Sequence, residues 1–255
     1  MSLDPDGLVL YAGPSRLRPT APIFVALTGL TGTSKNSKSG PMVQAWILRS
    51  DMPPMQAKRE NQDDAICGDC ALRGVNGNDS ICYVPAWLAP YNVYKAYHAG
   101  HYLAVDALDA AALLEDRDLR LSAYGDVAAT AFELWAPLFD TLGGWAGYTH
   151  QWRACDPRWQ AYLMASVESV DAKQDAERAG WRTFRMRHPF APLQPDEFMC
   201  PASDEAGHRT TCQHCQLCRG HASPAKGPSI IVHGKLSSLT AFYRNQGEAE
   251  AAAWA

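Results

Sequence analysis

No apolar run in this chain approaches the ~20 residues that a membrane-spanning helix requires, and its first residues, MSLDPDGLVLYAG, lack the basic segment followed by an apolar one that marks a secretory signal. There is no excess of positive charge either. Lys and Arg number 23 against 27 Asp and Glu, a net charge of −4, so no overall field gathers nucleic acid non-specifically. A Gly-rich dinucleotide fingerprint, a Ser/His/Asp arrangement with supporting context and an internal repeat are all missing. The loop at 29–41, GLTGTSKNSKSGP, approaches a phosphate cradle but places Ser37 where that motif needs a glycine directly before Lys38-Ser39. It reads instead as a flexible polar loop using Asn36, Ser37 and Lys38, or as a plain solvated turn. Together these absences set the expectation of an intracellular protein with no membrane contact. In a reducing compartment, clustered cysteines are metal ligands more often than disulfides.

Cysteine is what the chain has in quantity, and unevenly. Four of the eight fall in Cys200–Cys218, CPASDEAGHRTTCQHCQLC. Three of those form Cys212-x2-Cys215-x2-Cys218, and Cys200 is followed at once by Pro201. Structural zinc sites usually join two separate Cys-x2–4-Cys knuckles, whereas here Cys215 has a cysteine two residues away on both sides. A compact triplet with a remote Cys-Pro is instead how bacterial ferredoxins wrap the corners of a cubane. The spacing therefore favours a [4Fe–4S] cluster on Cys200, Cys212, Cys215 and Cys218, with zinc as the alternative. A second group, Cys67-x2-Cys70-x11-Cys82, offers three thiols. These suit three corners of another cluster with one iron open, or a zinc site completed by Cys155 or a histidine, or a shared site with the first group. Neither group has the Cys-x3-Cys-x2-Cys spacing of radical S-adenosylmethionine enzymes. Cys155, alone before a helix start, reads as a small core residue.

The length of 255 residues suffices to bury a core without disulfides, and the pattern predicts a single α/β domain over 1–255. Within it, 21–85 holds N-terminal strands and the first Cys-rich segment, 86–199 a series of βα repeats, and 200–235 the second Cys-rich segment and the last strand. Residues 1–20 read as an irregular lead-in. Strands are expected near 23–27 and 42–48, as a wide hairpin, then at 119–124, 145–149, 163–167, 181–186 and 229–232. Helices are expected at 105–114, at 126–139 behind Asp126 as cap, after Asp156-Pro157, at 171–179 up to Gly180, and at 236–243. Trp87, Tyr91, Tyr94 and Tyr97 recur at helical spacing and read as a buried helix face. Strand and helix alternating with short links point to parallel βαβ units. The fold expected is a partial or complete TIM-like (β/α) barrel with long cysteine-rich irregular segments, an open doubly wound sheet being its competitor.

In such barrels polar side chains gather where the strands end, which selects Tyr124, Asp126, His150, Gln151 and Glu168 as candidate catalytic residues. His188, His208, His214 and His233 rank below His150, being hydrogen-bonded or solvated histidines by default. Lys35, Lys38, Arg182, Arg185 and Arg187 are the cations from which a local anion or nucleic-acid patch would be built.

At the level of whole motifs the sequence resembles an uncharacterised family of cysteine-rich proteins encoded by bacteriophages, prophages and plasmids. The resemblance is carried by Asn36 to Gly40 with Met42-Val43-Gln44, Cys67-Gly68-Asp69-Cys70, Cys82-Tyr83-Val84, Ala123 to Asp126, Gly147 to Trp152, Gly180 to Arg185, and Cys200-Pro201-Ala202-Ser203 through Cys218. It implies a viral or mobile-element origin, a place in the bacterial host cytoplasm and metal binding, but no particular reaction. Two functional classes follow: a redox or cluster-assisted enzyme acting on a small molecule, or a zinc-stabilised, non-enzymatic module binding a host protein or nucleic acid.

Overall fold

The computed structural model describes residues 6–32, 36–74, 80–232, 239–240 and 242. The expected helix at 236–243, His233 and Lys35 lie outside them or almost so. The chain opens with three antiparallel strands, β1 (Gly7–Pro14), β2 (Pro22–Thr28) and β3 (Val43–Arg49). The hairpin of β2 and β3 is the one expected. The strand β1 corrects the reading of 1–20 as irregular. Its two glycines and its proline lie at the margins of LVLYA, and pairing with β2 supplies the partner that local sequence cannot reveal.

Helices α1 (Pro54–Arg59), α2 (Asp64–Cys67) and α3 (Ala89–His98) follow, then the two-residue strand β4 (Leu103–Ala104) and helix α4 (Ala107–Leu113). The aromatic stripe does not lie as predicted. Pro90 and Val93 are the buried residues of α3, while Trp87 and Tyr91 are exposed. Of the four, Tyr94 and Tyr97 pack against the core, Tyr97 stacking on Phe24 with ring centroids 3.8 Å apart.

From β5 (Asp118–Tyr124) onward the strands are parallel: β6 (Gly144–Ala146), β7 (Tyr148–Thr149), β8 (Met164–Val167), β9 (Thr183–Arg187), β10 (Glu197–Met199) and β11 (Gly227–Ile231). The first sheet has the order β4-β1-β2-β3-β5-β6 and the second β10-β11-β9-β8-β7. Only Gly147 separates β6 from β7, so one extended stretch forms the edge of both sheets and carries the parallel run from one to the other. The α/β expectation therefore holds. A complete barrel is not present: the outer strands are β4 and β10, and among the described residues no pairing closes them.

Between β5 and β6 the single helix expected at 126–139 is broken into two 3₁₀ turns, Val127–Ala129 and Phe132–Leu134, and helix α5 (Ala136–Phe139). Thr130 and Ala131 take extended backbone, and the Thr130 hydroxyl accepts a hydrogen bond from Trp135 Nε1 at 2.8 Å. That bond commits the residues to a turn rather than to helix continuation. The reward is aromatic packing: Phe132, Trp135, Phe139, Trp159 and Tyr162 meet edge-on or stacked beneath the sheet, contacts worth about 0.5–1.5 kcal/mol each beyond burial. Asp156-Pro157 starts a 3₁₀ turn rather than an α-helix. The helix α6 (Val170–Arg178) forms where predicted, capped by Ser169 Oγ accepting from Ala172 N and stopped before Gly180, which has φ +85°.

Gly125 turns the chain out of β5 with φ +78°, and a Cβ there would lie 2.6 Å from the Ile47 carbonyl oxygen. Backbone of a central strand cannot retreat as a flexible side chain can. Gly125→Ala is therefore expected to cost about 2 kcal/mol or more, since the left-handed conformation alone costs an L-residue about 1–2. Urea unfolding measures this directly.

Candidate functional site

The first cysteine group and one member of the second, Cys212, line one cavity of about 190 Å³. Its wall is one face of the parallel strands: Arg120, Ser122 and Tyr124 from β5, then Ala146, Tyr148 and His150, Ser166 from β8, Phe184 and Met186 from β9, and Ile230 from β11. The two-residue spacing along each strand is the alternation of a pleated chain, which sends every second side chain to the same face. In β5 the register slips between Gln44 and Trp46 of β3, and Ser122 adopts φ +58°. This bulge turns Ser122, Ala123 and Tyr124 all onto the cavity.

Cys67, Cys70 and Cys82 lie at the end of the cavity where the parallel strands finish. Cys67 closes α2, and Cys70 N bonds back to the Cys67 carbonyl at 3.1 Å, so Cys67-Gly68-Asp69-Cys70 is a single tight turn. Gly68 has φ +55°, and a Cβ on it would run into the Gln151 amide. Gln151 Nε2 in turn donates to the Cys67 carbonyl at 2.9 Å. The segment is pinned further by Arg73, paired with Asp63 at 2.6 Å, and by Asp126 N donating to Ile66 O at 2.6 Å. Burial pushes the Cys67 thiol well above its ordinary range, and the negative charge of Cys70, Asp63 and Cys82 adds to this. Cys82 is likewise raised by burial, against a backbone hydrogen bond from Val84. A bound metal would reverse the upward shift of Cys67 and Cys82.

Of the residues selected from strand ends, Tyr124, Asp126 and His150 line this cavity. Burial holds Tyr124 well above the usual tyrosine range, reinforced by the neighbouring Cys67 and Cys82. His150 Nε2 forms an ion pair with Glu168 Oε1 at 3.1 Å. Burial alone lowers a histidine pKa, yet Cys70 and Glu168 beside the ring outweigh it and hold His150 well above its ordinary value. Asp126 has a different part. It caps the turn after β5 by accepting from Ala128 N at 3.0 Å, and takes the Thr149 hydroxyl at 2.9 Å and His150 N at 2.9 Å. Burial raises its pKa against those donors. With its oxygens so engaged, Asp126 ties the end of β5 to the end of β7 and positions His150. Gln151 is the clamp on Cys67 and does not line this cavity.

The second group gathers toward the starting ends of β5 and β6. The helical turn α7 (Cys212–Cys215) is capped by Thr211, and Cys212 N donates to Lys38 O at 2.8 Å. Gln216, in the left-handed conformation, reaches Asp118 at 2.9 Å and redirects the chain so that Cys218 comes alongside Gly147. Cys200 enters from the end of β10, its N donating to Ser229 O at 2.8 Å. All four thiols feel one another electrostatically. Burial raises Cys200, Cys212 and Cys218, while Lys38 opposes this at Cys200, and Arg120 and Lys38 oppose it at Cys212. The Tyr148 hydroxyl bonds to Cys218. Cys212 is the member of this group that lines the cavity. Among the described residues, no set of three or more His, Cys, Asp or Glu side chains is gathered for a single metal ion.

The cations expected to form a patch are spent elsewhere, while the default readings of His188, His208, His214 and Cys155 hold. Arg185 is buried and held by Glu197 through two bonds, 2.7 Å from Nε and 2.6 Å from Nη2. Arg182 is spent on the carbonyls of Leu217, Gly220 and Ala225, and Arg187 on that of Ala191. No basic patch forms from them. His188 accepts from Phe190 N, His208 contacts Asp204 and the Ala202 carbonyl, and His214 pairs with Thr211. Cys155 sits away from both groups, its thiol pushed up to about 12 by burial. Sequence reasoning passed over Tyr148, Arg120 and Phe184; the alternation Ala146, Tyr148, His150 was the signal for the first. No helix among the described residues is long and apolar enough to cross a membrane. No protein-family model, curated protein or solved structure matches this chain.

Proposed function

We propose that the protein is an iron–sulfur enzyme of a phage or mobile element, acting in the bacterial host cytoplasm on a small molecule. Cys200, Cys212, Cys215 and Cys218 hold a [4Fe–4S] cluster, and Cys67, Cys70 and Cys82 hold three corners of a second one that faces the cavity. The parallel run from β3 to β10 is read as a partial barrel around that cavity. The observation that carries the reading is the quartet itself: four mutually interacting thiols, one brought from β10 and three from a single turn, with Lys38 and Arg120 alongside. The donor set fits the group, because thiolates select iron–sulfur clusters and adjacent cations offset the charge of a thiolate-ligated cluster.

Zinc fits less well. One tetrahedral zinc with Zn–S bonds of about 2.3 Å draws its sulfurs to about 3.8 Å of one another, whereas a cubane carries each thiolate on its own iron and keeps them farther apart. The clusters would supply electron transfer or Lewis acidity. The chain's own residues then hold a proton at the His150–Glu168 contact, orient it through Asp126, and shield the cavity with Tyr83, Tyr124 and Tyr148.

Anaerobic purification followed by visible absorption and metal analysis tests this. A brown protein with acid-labile sulfide and about four irons for each complete cubane is expected. A colourless protein carrying stoichiometric zinc would sink the reading and favour a zinc-stabilised module that binds a host protein or nucleic acid.

A further inference from the structure

The cavity is chemically lopsided. At the end near Cys212 its wall carries Lys38 and Arg120, and neither side chain has an ion-pair or hydrogen-bond partner among the described residues. The one carboxylate on the wall is Asp126, at the opposite end, with its oxygens already taken by Ala128 N, the Thr149 hydroxyl and His150 N. Between the ends the surface is mostly apolar or aromatic, with Tyr148 and Phe184 packed at 4.5 Å between ring centroids. Among the described residues the Cys200 and Cys212 thiols are their charged neighbours, and the side of each cation that faces the cavity is left for a further anion. Here the space beside them is concave, apolar and open to a ligand, the usual character of a small-molecule site.

We propose that this cavity binds a small aromatic anion, its ring against Tyr148 and Phe184 and its carboxylate or phosphate head held by Lys38 and Arg120. A cavity of about 150 Å³ accommodates benzene, so 190 Å³ has room for one ring with a head group. Arg120 is fixed on β5 and Lys38 on the loop before β3, so the two cations converge on the head from different elements. This supplies a substrate class for the site proposed above. It rests on that site being the cavity, not on which metal the thiols hold.

The competing use of the cations is to balance the charge of the Cys212 group, and the experiment separates the two. Benzoate and phenyl phosphate are titrated by calorimetry into the protein as purified with its metal, with benzyl alcohol and inorganic phosphate as controls. One of the aromatic anions is expected to bind at least about tenfold tighter than either control, and which one does so identifies the head group. Arg120→Gln and Lys38→Gln are each expected to weaken it at least about tenfold, the loss of a charge-assisted contact, with circular dichroism and metal content unchanged. The proposal is overturned if neither aromatic anion outbinds benzyl alcohol. It is equally overturned if both variants keep full affinity for the anion while the reduction potential of the metal centre shifts, since the cations then serve the thiolates. Metal analysis on the same samples keeps the proposals apart: zinc in place of iron removes the cluster reading and leaves the anion selectivity standing.

Discussion

Cys215→Ala is expected to strip the quartet of its cluster, lowering iron by about four per chain and removing the matching part of the visible absorption. The residue occupies the middle of Cys212-x2-Cys215-x2-Cys218, at the end of a helical turn whose backbone is tied to Thr211. No described histidine or carboxylate stands ready to replace it, because His214 is paired with Thr211 and His208 contacts Asp204. Three thiols would remain, as at Cys67, Cys70 and Cys82, but Cys215 does not line the cavity, so its corner is not a built open site and loss of the cluster is the expected result. Cys155→Ala is the control, since Cys155 lies beside Ala154 and Trp159 away from both groups, and it should leave iron and colour unchanged. Full retention of colour in Cys215→Ala would mean that the ligands have been assigned wrongly. Loss of colour in both variants would point instead to general destabilisation.

Glu197→Ala should be among the most destabilising single changes in the molecule, at about 3–5 kcal/mol, the range seen when one partner of a buried ion pair is removed. Arg185 and Glu197 expose only 3% and 1% of their side chains. Glu197 also accepts from Gln194 N at 2.9 Å, which closes the turn leading into β10. The change would leave the Arg185 guanidinium buried without its carboxylate and release the strand that delivers Cys200. Urea unfolding gives the first effect, and iron content at low denaturant the second. The double replacement Arg185→Met with Glu197→Leu should recover most of the stability, because removing both charges also removes their desolvation cost. If Glu197→Ala costs less than about 1 kcal/mol, the pair is not the buried lock described here.

What could be read in advance was mostly local. Strands β2, β3, β5, β8 and β9 were legible as short apolar runs, and α6 as a capped helix ending at Gly180, because their signals lie within a few residues of one another. The helix expected after Asp126 failed because a hydrogen bond from Trp135 to Thr130 outweighed the helical spacing of its apolar residues. The aromatic stripe failed because periodicity does not tell which side of α3 meets the sheet, and Val93 rather than Tyr91 or Trp87 took that side. Arg185 read as a cation at a strand end, but its partner Glu197 arrives only when β10 folds back along the sheet.

The candidate site divides in the same way. Its chemical types were present in the sequence: the spacing of the thiols, and the strand-end positions of Tyr124, Asp126 and His150. These follow from side-chain chemistry and from a pleat that sends alternate residues to one face. Their roles were decided by tertiary contacts. Three-dimensional packing saturated Asp126, set Gln151 on the Cys67 carbonyl, brought Glu168 to His150, and placed Lys38 beside Arg120 on a wall that links the two cysteine groups. Cysteine spacing constrains what a short segment can wrap, because a few backbone angles determine it. Which unpaired charge meets which apolar surface depends on strands far apart in the chain becoming neighbours, and only the folded sheets decide that.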